Sequence, residues 1–299
     1  MTQQQTMTAS AWGQLAALSL LWGGTFLNVR VALDALGPLT IVAHRVFWAA
    51  LALWLVVLVA RLPIPRGRRV LIGFIGMGIL NNAIPFTLQA WGQLHIESGL
   101  TAILNAGTAV WGVLIAALFM ADERLTLPRL VGVMLGFLGV ATAIGLQSLT
   151  AFDPRNIAQL AVVASTISYA LAGVWARRFL AGVHPLVAAA GMLTASTALM
   201  VPVAWTVEGP IQLALDLHTV LALAYLTLLA TALAYALYYR VLAAAGSGNV
   251  MLCTLLVAPV AIVLGTLFLG ETLASRALLG FGVLALGLLI LSGRLPLRR

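Results

Sequence analysis

Ten apolar stretches, each long enough to cross a lipid bilayer, leave this sequence essentially one architecture. They run approximately from Trp12 to Leu33, Leu39 to Ala60, Val70 to Trp91, Ser98 to Met120 and Leu127 to Leu146 in the first half of the chain. In the second half they run from Asn156 to Phe179, Pro185 to Thr206, Thr219 to Tyr239, Asn249 to Leu269 and Ser275 to Leu291. A helix needs about 20 mostly apolar residues to span a hydrocarbon core of about 30 Å. Inside lipid every backbone polar group must find its partner within the chain, which favours helices over open sheets. The gaps are too short to hold a soluble domain, so neighbouring helices are expected to form antiparallel hairpins. Charged residues make up only 8% of the 299 residues, against about a quarter in a soluble domain.

The formal net charge is +8, and all sixteen basic residues are arginine. They gather in the gaps between stretches, as topology-setting charges do, and not on one soluble face as a nucleic-acid surface requires. With the N-terminus in the cytoplasm, twelve arginines fall inside and four (Arg30, Arg45, Arg155 and Arg276) fall outside. This positive-inside bias puts both termini in the cytoplasm, which an even number of spans also demands. Met1 to Ala11 carries no positive charge, so the first stretch reads as a retained helix and not as a signal peptide. The single cysteine, Cys253, excludes an intramolecular disulfide and reads as a small buried apolar residue.

The chain repeats itself at about half its length. Glu123, Leu125, Gly132 and Gly139 return 148 residues later as Glu271, Leu273, Gly280 and Gly287. At an offset of 147, Pro38-Leu39 matches Pro185-Leu186, Arg30 matches Arg177, and Trp22 matches Tyr169. The repeats divide the chain into residues 1–147 and 148–299, with five stretches each. Five is odd, so the second copy enters the membrane upside down. The expected fold is therefore an all-α integral membrane protein of ten helices in two inverted five-helix repeats, an arrangement typical of secondary transporters that hold substrate near the midplane.

Particular segments add a family likeness. Phe119-Met120-Ala121-Asp122-Glu123-Arg124-Leu125 and Phe268-Leu269-Gly270-Glu271-Thr272-Leu273, each followed by a Gly-rich helix, resemble the EamA-type drug/metabolite transporters. So do Leu21-Trp22-Gly23-Gly24-Thr25-Phe26 and the proline in Ala258-Pro259-Val260. The likeness covers essentially the whole chain in two EamA units. The first half departs from it by carrying Trp111 where the second has Pro259. Within the family the chain is most similar to the YddG-type exporters of amino acids, aromatic ones included. The resemblance implies ten spans, a bacterial inner membrane and export of small metabolites; no cofactor is expected, and the sequence admits a monomer without fixing the oligomeric state.

Polar groups within spans are costly and tend to face a bundle interior or a wet path. Stripes at helical spacing occur on the third stretch (Gly78, Asn81, Asn82, Pro85, Gln89) and the fourth (Ser98, Thr101, Asn105, Thr108, Gly112). The eighth carries Thr227, Thr231, Tyr235, Tyr238 and Tyr239; the sixth Ser165, Ser168 and Tyr169; the first Trp22, Thr25 and Asn28. Taken singly, such residues serve as interhelical glue worth about 0.6 kcal/mol each. Together they predict a central cavity bound by Trp22, Asn81, Asn82, Gln89, Asn105, Tyr169, Tyr235, Tyr238 and Tyr239. Amides and aromatic rings suit an amphipathic zwitterion such as a neutral or aromatic amino acid; other small amphipathic metabolites or drugs are the alternative cargo. Phosphate-bearing cargo would call for interior cations, and the arginines lie mostly at helix ends, where Arg30, Arg45 and Arg177 are expected to snorkel.

Pro85 and Pro259 are predicted hinges, since each removes a backbone hydrogen bond within a span. Glu123 and Glu271 sit just before a helix and are expected to complement its dipole. No carboxylate falls in mid-membrane, which favours passage down a gradient over a built-in proton relay. Gly132, Gly136, Gly139, Gly280 and Gly287 read as close-packing surfaces. The sequence lacks the paired aspartates, Ser–His pair or zinc motif of a membrane-embedded enzyme, and no metal site is expected.

Overall fold

A computed structural model describes residues 8–96, 98–150, 152–250, 252–269 and 275–291. Glu97, Glu271, the termini and the last three arginines lie outside these residues. The regular structure of the described residues is all helical, and its long elements form ten rods. They are α1 (Ala9–Leu33), α2 (Pro38–Val59), α3 (Arg68–Gly92), α4 (Ser98–Phe119) and α5 (Leu127–Ile144), then α6 (Ile157–Phe179), α7 (Pro185–Glu208), α8 (Leu217–Ala245), α9 (Cys253–Leu269) and α10 (Ser275–Leu291). The first eight are long and apolar enough to cross a membrane by length and composition; α9 and α10 are 17 residues each.

Local sequence sets the ends. Thr126, Asn156 and Asp216 cap the N-termini of α5, α6 and α8 by accepting backbone N–H bonds in their first turns. Proline opens α2 and α7, where its missing N–H costs nothing. Leu55, Val59, Leu118 and Leu278 stand exposed on the outside of the bundle, a surface that only lipid can cover. The interior is built largely of alanine with larger residues between.

The rods pack in pairs that exchange when each number is raised or lowered by five. α4 packs on α6 as α9 packs on α1, α3 on α6 as α8 on α1, and α3 on α7 as α8 on α2; α2 with α7 and α5 with α10 pair across the axis. Two polar contacts show the reversal. Arg30, at the end of α1, donates to the Gln93 carbonyl at the end of α3 (3.3 Å). Its counterpart Arg177, at the end of α6, pairs with Asp122 and Glu123 in the α4–α5 turn, at the opposite end of the bundle. The two halves are thus inverted repeats.

The glycines of α5 and α10 let two backbones touch. A Cβ on Gly139 would lie 2.5 Å from the Leu284 nitrogen, and one on Gly287 would lie 2.6 Å from the Gly132 oxygen. No side chain fits there, as small-residue membrane interfaces require. In α1, Gly24 marks a break in the helix and makes room for Tyr225, whose hydroxyl donates to the Leu21 carbonyl at 3.0 Å.

Candidate functional site

Two of the rods are wound wide where they pass the bundle centre. In α3, Ile79–Ala83 forms a π-turn closed by Ile84 N–H to the Ile79 carbonyl. In α8, Tyr225–Leu233 does the same, and Ala234 N–H reaches back to Leu229. The segments correspond in the two repeats, since 79 and 226 are 147 apart. Single π-turns concentrate at functional sites because they release backbone carbonyls sideways. In α3 the release is completed by Pro85, which has no N–H to give. The Leu80 carbonyl instead accepts the Ser168 hydroxyl (2.7 Å) and the Asn81 carbonyl accepts the Tyr235 hydroxyl (3.4 Å). In α8 the Ala230 carbonyl accepts Trp22 Nε1 at 2.9 Å and Arg45 Nη2 at 3.3 Å.

Between these turns lies a cavity lined by Trp22, Thr25, Phe26, Arg45, Asn81, Phe86, Gln89, Asn105, Thr108, Tyr169, Tyr235, Tyr238, Thr254 and Val257. About 570 Å³ of unfilled space, its mouth included, lies between its walls, which suits a compact metabolite. One wall is aromatic. Trp22, Tyr235 and Tyr238 lie with ring centroids 6.1 to 6.4 Å apart, Tyr235 edge-on to both others. Another is amide, where Gln89 Nε2 donates to Asn105 Oδ1 at 2.8 Å and to the Ser165 hydroxyl at 3.1 Å. Among the described residues the hydroxyls of Thr25, Thr108 and Tyr238 have no partner. No carboxylate among the described residues lines the cavity.

Seven of the nine residues expected to bind substrate line it. Asn82 and Tyr239 do not. Asn82 is fully buried behind the wall, donating to the Ser196 hydroxyl (2.7 Å) and accepting from the Tyr235 hydroxyl (2.5 Å). Tyr239 points its hydroxyl at the Met192 sulfur, 3.4 Å away. Of the predicted hinges, Pro85 lies two residues past the π-turn of α3 and Pro259 lies within α9.

Arg45 departs most from expectation. It does not snorkel but lies in the cavity wall, 5% exposed. Its neighbour His44 faces elsewhere: Nδ1 accepts from Trp48 (3.1 Å), which leaves Nε2 to donate to the Gln212 carbonyl (2.9 Å). An interior arginine weakens the ground on which phosphate-bearing cargo was disfavoured, the lack of interior cations. Phe26, Phe86, Thr254 and Val257 were also absent from the expected set; being apolar or isolated, they gave no stripe.

Glu123 departs as well. It does not serve the dipole of α5, whose cap is Thr126. Instead its carboxylate joins Arg177 (2.8 Å) and Arg129 (3.3 Å), Arg129 reaches Asn249 (3.2 Å), and Arg177 also pairs with Asp122. Burial would raise the Asp122 carboxyl, but the bonded Arg177 guanidinium outweighs it and holds the group below the usual carboxylate range. The cluster ties the α4–α5 turn to α6 and to the α8–α9 turn. Among the described residues no group of His, Cys, Asp and Glu side chains could hold a metal ion.

A bundle of inverted repeats closed around a polar, aromatic-walled cavity defines a membrane transporter. The chain belongs to the EamA-like transporter family, whose pattern matches it twice, over residues 10–145 and 156–293. Among curated relatives it is 24% identical to "Uncharacterized inner membrane transporter YedA" of Escherichia coli (94% of this chain, 90% of that protein). It is 25% identical to "Probable terminal-alkyne amino-acid exporter" of Streptantibioticus cattleyicolor (98% and 96%). It is 26% identical to "Probable amino-acid metabolite efflux pump" of Salmonella typhimurium (93% of each). A solved crystal structure superposes with a TM-score of 0.77 at 18% identity, covering 96% of this chain and 98% of its own, a likeness that bears on the fold.

Proposed function

We propose that this transporter exports small amphipathic metabolites, neutral or aromatic amino acids first among them, by alternating access around the central cavity. The observation that carries the reading is the pairing of an aromatic wall (Trp22, Tyr235, Tyr238) with unspent polar groups (Thr25, Thr108, Tyr238) in one small space. Such a site meets a side chain and a polar head at once. The names of two relatives, one an amino-acid exporter and one an amino-acid metabolite efflux pump, support it. The arginine distribution supports an inner-membrane orientation with both termini in the cytoplasm, which puts the Asp122–Glu123–Arg177 cluster at the inner end. With no carboxylate among the described residues in the cavity, transport runs down the cargo gradient.

Purified protein in sealed liposomes preloaded with unlabelled neutral amino acids tests the reading. The expected result is saturable counterflow of labelled phenylalanine or leucine above protein-free vesicles. Counterflow at the protein-free level for every neutral amino acid tried would remove amino acids as the cargo.

A further inference from the structure

The cavity wall carries one guanidinium, and the inverted repeat does not supply a second. Met192 of α7 stands where Arg45 stands in α2, at the 147-residue offset. Arg45 Nε donates to Thr231 Oγ1 at 2.7 Å and Nη2 to the Ala230 carbonyl at 3.3 Å, and the guanidinium lies 3.7 Å from the Phe86 ring centroid. Every one of these partners is neutral. Of the carboxylates flanking α2 and α8 at this end of the bundle, Glu208 accepts from the Leu39 and Thr40 N–H groups at the start of α2, Asp216 caps α8, and Asp34 stands exposed. Among the described residues nothing neutralises Arg45, and its Nη1 and the second Nη2 hydrogen have no partner.

A purely structural role accounts for part of this. Nε and Nη2 brace the π-turn of α8, and a neutral donor of similar length would brace it as well. It does not account for the charge. An unpaired charge in a low-dielectric interior is expensive, and one kept within a membrane span marks a functional site by default. The free edge of the fork matches a carboxylate, which accepts two parallel N–H bonds in the plane of a guanidinium. The buried, unpartnered hydroxyls of Thr108 and Tyr238 line the same space and are free to add to an anion's shell. A phosphate dianion would leave excess charge on a site with one cation.

Resting on the transporter reading above, we propose that Arg45 is the receptor for a carboxylate on the cargo. The cargo is then a compact amphiphile with one carboxylate, held by its charged end at Arg45 and by its apolar end against Trp22, Tyr235 and Tyr238. Met192 at the symmetric place makes the site polar in one sense, so the cargo binds in one orientation despite the repeat.

Thermal stabilisation of the purified protein by a matched ligand series tests this, since a ligand that binds the folded state raises Tm in step with its affinity. The probes are phenylalanine, 3-phenylpropionate, phenylalaninamide, phenethylamine and phenyl phosphate. The expected result is that the two carboxylates bind about 10- to 100-fold more tightly than the amide and the amine, the range that a charge-assisted bond supplies. Arg45→Gln, which keeps a donor for Ala230 and Thr231, should abolish that preference, and Arg45→Lys should weaken the binding and keep the preference. Equal binding of acid and amide by the native protein, a preference that survives Arg45→Gln, stronger binding of the phosphate, or no carboxylate bound at all would each overturn the assignment. The acid-against-amide comparison uses the native chain, so it decides the matter even where a variant does not fold. Binding of 3-phenylpropionate without phenylalanine would retire the amino-acid reading and leave Arg45 as carboxylate receptor. Equal binding of phenylalanine and its amide would do the reverse.

Discussion

Thr108 and Asn82 are both fully buried, both polar and both on rods that border the cavity, yet they are opposites in kind. The Thr108 hydroxyl lines the cavity and bonds nothing; the Asn82 amide lies behind the wall with both ends engaged. Replacing an unpartnered hydroxyl by a methyl of the same shape is nearly neutral for stability, whereas truncating one member of a buried network strands its partners at about 1–3 kcal/mol. Thr108→Val is therefore expected to leave Tm within a few degrees and to weaken cargo binding. Asn82→Ala is expected to lower Tm markedly while any protein that folds binds cargo nearly as before. Tm and cargo affinity measured on both variants check this, and a reversed pattern would place Asn82 in the site. The sequence showed that both residues belong to polar stripes at helical spacing. It could not show which member of a stripe meets a neighbouring helix and which meets open space, because that depends on how far the rods stand apart. Arg45 was misplaced for a related reason. Seven residues past Pro38 it is close enough to a span end to snorkel, and only the packing of α2 on α8 and of Phe86 beneath its head turns it inward.

At the scale of elements, the π-turns of α3 and α8 do what no straight helix could. They free carbonyls at mid-rod, and Ser168, Tyr235, Trp22 and Arg45 take them up. The rods are thereby joined through bonds that can be remade one at a time. Pro85 helps to hold the first of these turns open. Pro85→Ala returns an N–H that competes for the Leu80 and Asn81 carbonyls, so it is expected to keep or raise thermal stability while lowering counterflow. Counterflow at the native rate would show that Pro85 is a static kink and not a hinge. The span positions and the touching glycines of α5 and α10 were legible, since apolar length and small-residue spacing act locally; the cap of α5 was not, because the part that Thr126 plays was assigned to Glu123. The π-turns were not legible beyond Pro85. Asn81, Asn82, Thr227 and Thr231 are weak helix formers but do not by themselves call for a wide turn, whose freed carbonyls are taken up by partners on other rods.

For the whole molecule, the repeat relation was the most legible feature, because it is written in residues 148 and 147 apart. Its consequence is mechanical. Arg177 is locked to Asp122 and Glu123 at one end of the bundle, while its counterpart Arg30 at the other end reaches only the Gln93 carbonyl among the described residues. On the alternating-access reading proposed above, the lock must open for the cavity to be reached from that end. Asp122 has its carboxyl held below the ordinary range, so the lock's stability is fully present above that range and is lost as pH falls through the depressed value. Acidification on the α4–α5 side, or Arg177→Gln at neutral pH, is expected to favour the state open at that end.

The most direct test of this account reads from which side of the membrane the cavity is reached. Thr108→Cys, in a Cys253→Ser background, is labelled in oriented vesicles with a thiol reagent that cannot cross lipid. The account predicts labelling from either side, with Arg177→Gln raising the rate from the α4–α5 side and lowering it from the other. Labelling from one side alone, unchanged by Arg177→Gln, would contradict it.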